Sequence, residues 1–411
     1  MKASEIHAVL KKNQMQKKPG LFEWAVYTGM FILAYVVFYT LMLRPGSDLS
    51  IHGTWAAEGD FLNPRTFLRH GAHPLWHGLV AAVMLLGTGT KVAAALVTAA
   101  LKVTELWLVR RMMGWYLEEK WGQKAVTGMA VCCVLVMAVY VPWVNPTVYA
   151  GIGAANVWHS PTQMMAMVMM LLCVPYTAYC YAAFERLVPQ NGEKTIIPWK
   201  KAIVLGILLL VSLTAKPTFM QAFLPAAGLF FLAQWIRHPK NSRFFGQMIL
   251  AVLPSVLFMV LQYMYYFGLN ISYERSMVLE ISPEKWRQIG LATLMIQAFP
   301  LYALVTCAKR EDFRNPLLTL TVLLDAVGVL EFALLGEGGY RAQDGNFGWA
   351  MMGGALMLWV LAIILFFNDF AKAREEGKKK LKYAGGILLL LWHLGAGIYY
   401  LVYLLSGSTN F

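Results

Sequence analysis

The chain has 411 residues, of which 58% are hydrophobic and only 14% charged, with a formal net charge of +13. A mean hydropathy of +0.54 excludes an ordinary soluble globular protein and places the chain among polytopic membrane proteins. All five cysteines (Cys132, Cys133, Cys173, Cys180 and Cys307) lie within or beside apolar runs, which excludes a disulfide scaffold or a cysteine metal site.

In chain order, a basic segment (Lys2, Lys11, Lys12, Lys17, Lys18) precedes an apolar run over 22–43. That run is longer than a signal-peptide core and reads as an uncleaved anchor. Further apolar stretches follow at 92–109, 125–143, 161–184, 202–215, 218–236, 246–268, 288–307, 316–336, 349–368 and 383–405. They predict an all-α fold: one integral membrane domain over 1–411 with about eleven transmembrane helices, each matched to a hydrocarbon core of roughly 30 Å. Leu75 to Gly87 is also apolar, but about thirteen residues is the length of an interfacial or re-entrant segment.

The basic residues orient these spans. With the N-terminus in the cytoplasm, inner segments take Arg110, Arg111, Lys120, Lys124, Arg186, Lys194, Lys200, Lys201, Arg237, Lys240 and Arg243. They also take Lys309, Arg310, Arg314 and the run from Lys372 to Lys382, and so hold most of the 35 basic residues. Outer segments keep Arg44, Arg65, Arg69, Lys91, Lys216, Arg275, Lys285, Arg287 and Arg341. This asymmetry follows the positive-inside rule, so the basic excess is a topogenic signal that also meets anionic membrane lipids. It is not a nucleic-acid footprint. Lys102 falls inside a span, three residues before Glu105, and reads as half of a local ion pair.

The unusual polar residues gather on the outer side. The first outer loop, 44–91, opens with SDLSIHGTWAAEGD and carries Asp48, His52, Glu58 and Asp60, then Arg65, Arg69, His70, His73 and His77. The second, 144–163, holds Asn156, Trp158 and His159; a tight AKPTF turn then sets Lys216 between two apolar helices. Loop 270–288 offers Glu274 and Arg275, and loop 336–349 (GEGGYRAQDGNFGW) offers Glu337, Tyr340, Arg341, Asp344 and Asn346. In that last loop glycines permit close backbone approach. The guanidinium of Arg341 has the fork that grips two phosphate oxygens.

Lys216 has two readings, an interfacial snorkelling anchor or a cation that meets an anion. His73 and His77 have the i,i+4 spacing of a metal pair, though histidines at headgroup level more commonly bind none. No metal ligand set or cofactor is assigned from the sequence, and a divalent metal stays open. Asp325 and Glu331 lie inside the ninth predicted span, where carboxyls are costly. Spaced six apart they face different directions, with Glu331 nearer the outer end.

This arrangement resembles the GT-C superfamily of membrane glycosyltransferases. The likeness rests on one helix followed by a large acidic outer loop with a juxtamembrane piece (PLWHGLVAAVMLLG, 74–87). It extends to the Lys216–Pro217 step and to a late outer loop with Arg341 and Asn346. The resemblance implies transfer of a sugar from a polyprenyl-phosphate donor to a glycan, lipid or protein acceptor. Transfer would proceed by inverting direct displacement, on the extracytoplasmic face of a bacterial plasma membrane. It makes Asp48 the first choice for the carboxylate that handles the incoming hydroxyl, Asp60 the second, and His52 the residue that orients Asp48. Arg341, then Lys216 and Arg275, with His159, would meet the leaving phosphate. Trp55, Trp158 and Tyr340 would stack on sugar rings, with Asn346 and Glu337 beside sugar or acceptor; interfacial anchoring is the alternative for the aromatics. Other readings stay open: an O-antigen-type ligase or polymerase, a transporter or flippase with polar residues through the midplane, or a membrane acyltransferase.

Overall fold

A computed structural model of the chain describes residues 19–59, 73–144, 154–192, 195–265, 277–338, 345–377 and 381–406. Among these, nine helices are long and apolar enough to cross a membrane, so this is an all-α, polytopic membrane protein. Twelve α-helices are described: α1 Leu21–Met42, α2 Asp48–Glu58, α3 Pro74–Met84, α4 Thr90–Leu135, α5 Pro161–Asn191, α6 Trp199–Ala215, α7 Pro217–Arg237, α8 Ser242–Tyr263, α9 Pro283–Cys307, α10 Pro316–Leu334, α11 Gly348–Glu375 and α12 Leu381–Ser406. Two three-residue strands, β1 (Met277–Leu279) and β2 (Leu335–Glu337), pair antiparallel.

The difference between nine and the expected eleven has two causes. The runs at 92–109 and 125–143 belong to one 46-residue element, α4, interrupted at Gly122 by φ 75° and ψ 164°. A straight helix of that length would extend about 70 Å, twice a bilayer core, so the interruption is required. Only glycine enters that backbone region without a steric penalty. The second cause is α6, which has 17 residues and sits at the short end for a crossing.

The chain divides into two compact units. Named for their place along the sequence, a flanking unit comprises Lys17–Val168, Arg287–Ala308 and Ala355–Phe411, and a central unit includes Met169–Trp286 and Lys309–Gly354. In the flanking unit α1 lies along α4, the short helices α2 and α3 pack on each other and on α4, and α12 covers α1 and α4. In the central unit α6 packs on α8, and α7 on α10. The α7–α8 pair is held partly by aromatic stacking onto α5, with Phe184 and Phe244 centroids 4.0 Å apart. A close α10–α11 approach is made through glycine: a Cβ built at Gly354 would lie 2.8 Å from the Asp325 Cα, and one at Gly328 2.9 Å from the Met351 amide. Small residues are what allow two membrane helices to come this near.

The flanking unit also explains why α4 stops at Leu135 although the apolar run continues to 143. Residues 136–141 leave the helix and exchange their backbone bonds with α9 and α12. α9 is broken at Gln297 (φ −120°, ψ 18°), three residues before Pro300. Pro300 has no N–H to give the Ile296 carbonyl, and the break separates the Phe299 amide from the Met295 carbonyl. Each orphan finds another partner: Trp359 Nε1 donates to the Ile296 carbonyl at 3.0 Å, and the Val139 amide to the Met295 carbonyl at 2.9 Å. The Phe299 amide donates to His393 Nε2 at 3.3 Å, while His393 Nδ1 meets the Met137 carbonyl at 2.6 Å and the Met137 amide donates to the His393 carbonyl. Because a carbonyl only accepts, His393 is the Nδ1–H tautomer. A Cβ at Gly397 would overlap the Leu135 carbonyl, so the last turn of α4 also rests on α12.

Candidate active site

Three groups of polar side chains form from the residues singled out by sequence. The first surrounds α2. Gly46 turns the chain with φ 86°, and Ser47 N-caps α2, its hydroxyl accepting from the Ser50 amide at 3.1 Å and donating to the Leu41 carbonyl at 2.8 Å. That cap ties the helix start to the end of α1 and places Asp48 at the first helical position, where a carboxylate faces the positive end of the dipole. The Asp48 side chain is 37% exposed, and His52, one turn on and buried, brings Nε2 to 3.4 Å from Asp48 Oδ1. His52 Nδ1 in turn lies 2.9 Å from Nε2 of His77 on α3. His77 Nδ1 lies 3.1 Å from the His73 carbonyl. Trp55 stands edge-on to the His52 ring at 4.8 Å. Beneath it Trp76 is fully buried and donates to Thr98 Oγ1 at 3.2 Å, which docks α3 on α4.

In the i,i+4 pair His73 and His77, both ring nitrogens of His77 have close neighbours. One ring nitrogen of His77 is engaged by backbone and the other by His52. Among the described residues no three His, Cys, Asp or Glu side chains are grouped as metal ligands.

The second group lies deeper in the flanking unit. Lys102 and Glu105 are both fully buried and paired at 2.8 Å, as their spacing predicts. The Lys102 ammonium sits 4.7 Å from the centroid of Trp158, whose ring stacks on Phe38 at 5.7 Å. Trp158 is 1% exposed and serves the packing of this unit rather than presenting a face to a sugar. His159 is buried beside it, with Nδ1 2.9 Å from the Tyr400 hydroxyl. Asn156 bridges the end of α4 by donating to the Cys133 and Val136 carbonyls.

The third group belongs to the central unit. Lys216 is the one residue between α6 and α7, extended at φ −167° and ψ 126°, with Pro217 opening α7. Its side chain is turned inward, and Nζ lies 3.9 Å from the centroid of Trp349. Trp349 Nε1 donates to Asn346 Oδ1 at 3.2 Å, and Asn346 Nδ2 donates to Glu337 Oε2 at 2.5 Å. Lys216, Asn346 and Glu337, distant in sequence, are thus joined through Trp349. Close to β2, Lys285 Nζ bridges Glu280 and the Leu335 carbonyl, fixing the β1–β2 ribbon beneath Glu337. Of the remaining sequence candidates, Asp60, Arg275, Tyr340 and Arg341 lie outside the described residues. Asp48 belongs to the flanking unit and Lys216 to the central one.

Sequence reasoning missed Trp349, Tyr400 and the pairing of His52 with His77. For the last a signal existed: two i,i+4 pairs of polar residues, Asp48/His52 and His73/His77, on adjacent short helices.

No protein-family model matches this chain, and a comparison with curated proteins gives no match either.

Proposed function

We propose that this protein is a membrane glycosyltransferase of GT-C architecture that uses a polyprenyl-phosphate-linked sugar at the outer face of the membrane. The observation that carries the reading is Asp48: a partly exposed carboxylate at the start of an N-capped helix, directly after the first span, with a buried histidine behind it. That is the placement needed to take a proton from an incoming hydroxyl at the membrane surface. For the phosphate of the donor the central unit by itself offers the cation Lys216, held over Trp349, whose indole is bonded to Asn346 and through it to Glu337. An apolar cavity of about 490 Å³ in the same unit, lined by Leu209, Phe223, Phe231, Met248 and Val252 among others, has the chemistry to receive a prenyl chain.

The topology proposed with this reading has eleven crossings and a cytoplasmic N-terminus. Several contacts support it. Arg237 and the turn from Lys309 to Arg314, both assigned to the inner side, line one cavity of about 990 Å³. At the start of α1, Glu23 pairs with Arg110, which also pairs with Glu118, and Arg374 lies over Trp121. At the opposite end of α1, Arg44 donates to the Leu405 carbonyl near the end of α12.

The test is reconstitution of the purified chain with a panel of synthetic short-chain polyprenyl-phosphate hexoses and pentoses, read as release of polyprenyl phosphate. Asp48→Asn is expected to lower turnover by about 10²- to 10⁴-fold. Release that is undiminished in this variant, or absent with every donor, sinks the proposal.

A further inference from the structure

We propose that His77 is a positioning residue for Asp48, acting through His52; this rests on the glycosyltransferase reading for its catalytic meaning, though not for its geometry. Begin at the fixed end. The His73 carbonyl has no hydrogen to give, so the nitrogen facing it, His77 Nδ1, carries one. A neutral His77 then presents a lone pair at Nε2. The nitrogen 2.9 Å away, His52 Nδ1, must supply the hydrogen for that contact. With its hydrogen on Nδ1, a neutral His52 has its Nε2 lone pair free for a proton, and that atom is the one 3.4 Å from Asp48 Oδ1.

The separation is longer than the 2.7–2.9 Å or so of a charge-assisted hydrogen bond, so Nε2 faces Asp48 at ion-pair distance without a closed hydrogen bond. The packing holds this order in place. His52 and His77 are each no more than 6% exposed, Trp55 and Trp76 border the His52 ring, and Trp76 anchors α3 through Thr98. A buried imidazole with no acceptor for Nδ1–H would turn or change tautomer, presenting N–H rather than a lone pair towards Asp48.

In the transfer step the acceptor oxygen forms its bond to the anomeric carbon as the bond from that carbon to the phosphate oxygen breaks. The electron pair leaves with the polyprenyl phosphate. The hydroxyl proton passes to Asp48 and then to His52 Nε2, which leaves an imidazolium between the Asp48 carboxylate and neutral His77. A carboxylate as exposed as Asp48 thereby returns to its ionised form with the proton held in a site closed to the acceptor. A divalent metal held between His52 and His77 is the competing use of the same two nitrogens, since metal-bound histidines also have their outer nitrogen engaged.

The experiment labels the histidine rings with ¹⁵N in the full-length protein and reads tautomers by long-range ¹H–¹⁵N correlation, with His52→Gln and His77→Gln assigning the signals. Both rings are expected to carry hydrogen on Nδ1. His77→Leu is expected to shift His52 to the Nε2–H tautomer, and His77→Gln, whose amide oxygen still accepts, to leave it on Nδ1. Nε2–H signals for both rings in the wild-type protein, or a His52 spectrum indifferent to His77→Leu, overturn the array. So does stoichiometric binding of Zn²⁺ that His77→Leu abolishes.

On the donor panel, His77→Leu should lower kcat by about 10- to 100-fold with KM for the donor unchanged, and His77→Gln should recover most of it. Tautomers as expected with full turnover in His77→Leu remove the positioning role. Tautomers as expected with full turnover in Asp48→Asn instead bring down the glycosyltransferase assignment, and leave the array standing.

Discussion

Lys102 and Glu105 offer a quantitative check on the interior of the flanking unit. Both side chains are fully shielded, and the ammonium meets Glu105 Oε2 at 2.8 Å and the Trp158 ring at 4.7 Å. Lys102→Met keeps most of the side-chain volume and deletes the charge. It leaves a carboxylate in the interior whose other oxygen, Oε1, already lacks a hydrogen-bond partner among the described residues. Breaking a buried pair from one side costs about 3–5 kcal/mol, and losing a desolvated cation–π contact adds roughly 0.5–2 kcal/mol. The expected loss is therefore about 4–7 kcal/mol, a large part of the roughly 5–15 kcal/mol that holds a typical domain folded. The double variant Lys102→Met/Glu105→Met removes the stranded charge and should come back to within about 1–2 kcal/mol of wild type. Denaturation of the purified protein in detergent, followed by tryptophan emission, reports both steps, since Trp158 lies against the ammonium. A single variant within about 1 kcal/mol of wild type, or a double variant no better than the single, would refute the reasoning.

His393→Phe keeps the ring volume but strips the Phe299 amide and the Met137 carbonyl of their side-chain partner; at about 1–3 kcal/mol for each orphan, a loss of about 2–6 kcal/mol should appear in the same unfolding assay. Gly354→Leu drives a side chain into the Asp325 backbone and should cost at least about 1–3 kcal/mol, where Gly87→Leu, with nothing within 4 Å of its Cβ position, strains only its own backbone; equal losses would discount the α10–α11 contact. Lys216→Gln should reduce kcat/KM on the donor panel by about 100-fold with little change in thermal stability; a stability loss without a kinetic one would make Lys216 an anchor.

The helices were the legible part of this chain. Apolar runs near twenty residues, ended by Pro, Gly or basic clusters, fix α1, α7, α10 and α12 within a few residues of their observed limits, and the starts of α5 and α11, which run on past the apolar stretch to Asn191 and Glu375. The α6–α7 step at Lys216 was legible because Pro217 both ends one helix and opens the next. The Lys102–Glu105 pair was legible because i,i+3 neighbours share a helix face. Local pattern failed where partners come from far along the chain. α4 ends at Leu135, not near 143, because the backbone after it bonds to Met295 and His393. His52 and His77 meet because α2 and α3 fold against each other, and Trp349 joins Lys216 to Asn346 across more than a hundred residues. The end of α4 and the Trp349 link have no periodicity to betray them, and the i,i+4 pairs Asp48/His52 and His73/His77 mark two helix faces without saying that they meet. The loop half of the candidate site, with Asp60, Arg275, Tyr340 and Arg341, rests on sequence alone.

The bent joint in α9 has a bearing on how the chain is made. Two of the groups that cap its loose backbone atoms, Trp359 and His393, belong to α11 and α12, which leave the ribosome after α9. Earlier spans must enter the bilayer with those atoms unserved, in a solvent that has nothing to offer them. Arrival of α12 then acts as a keystone. A nascent chain halted before α12 would hold bare peptide groups in lipid.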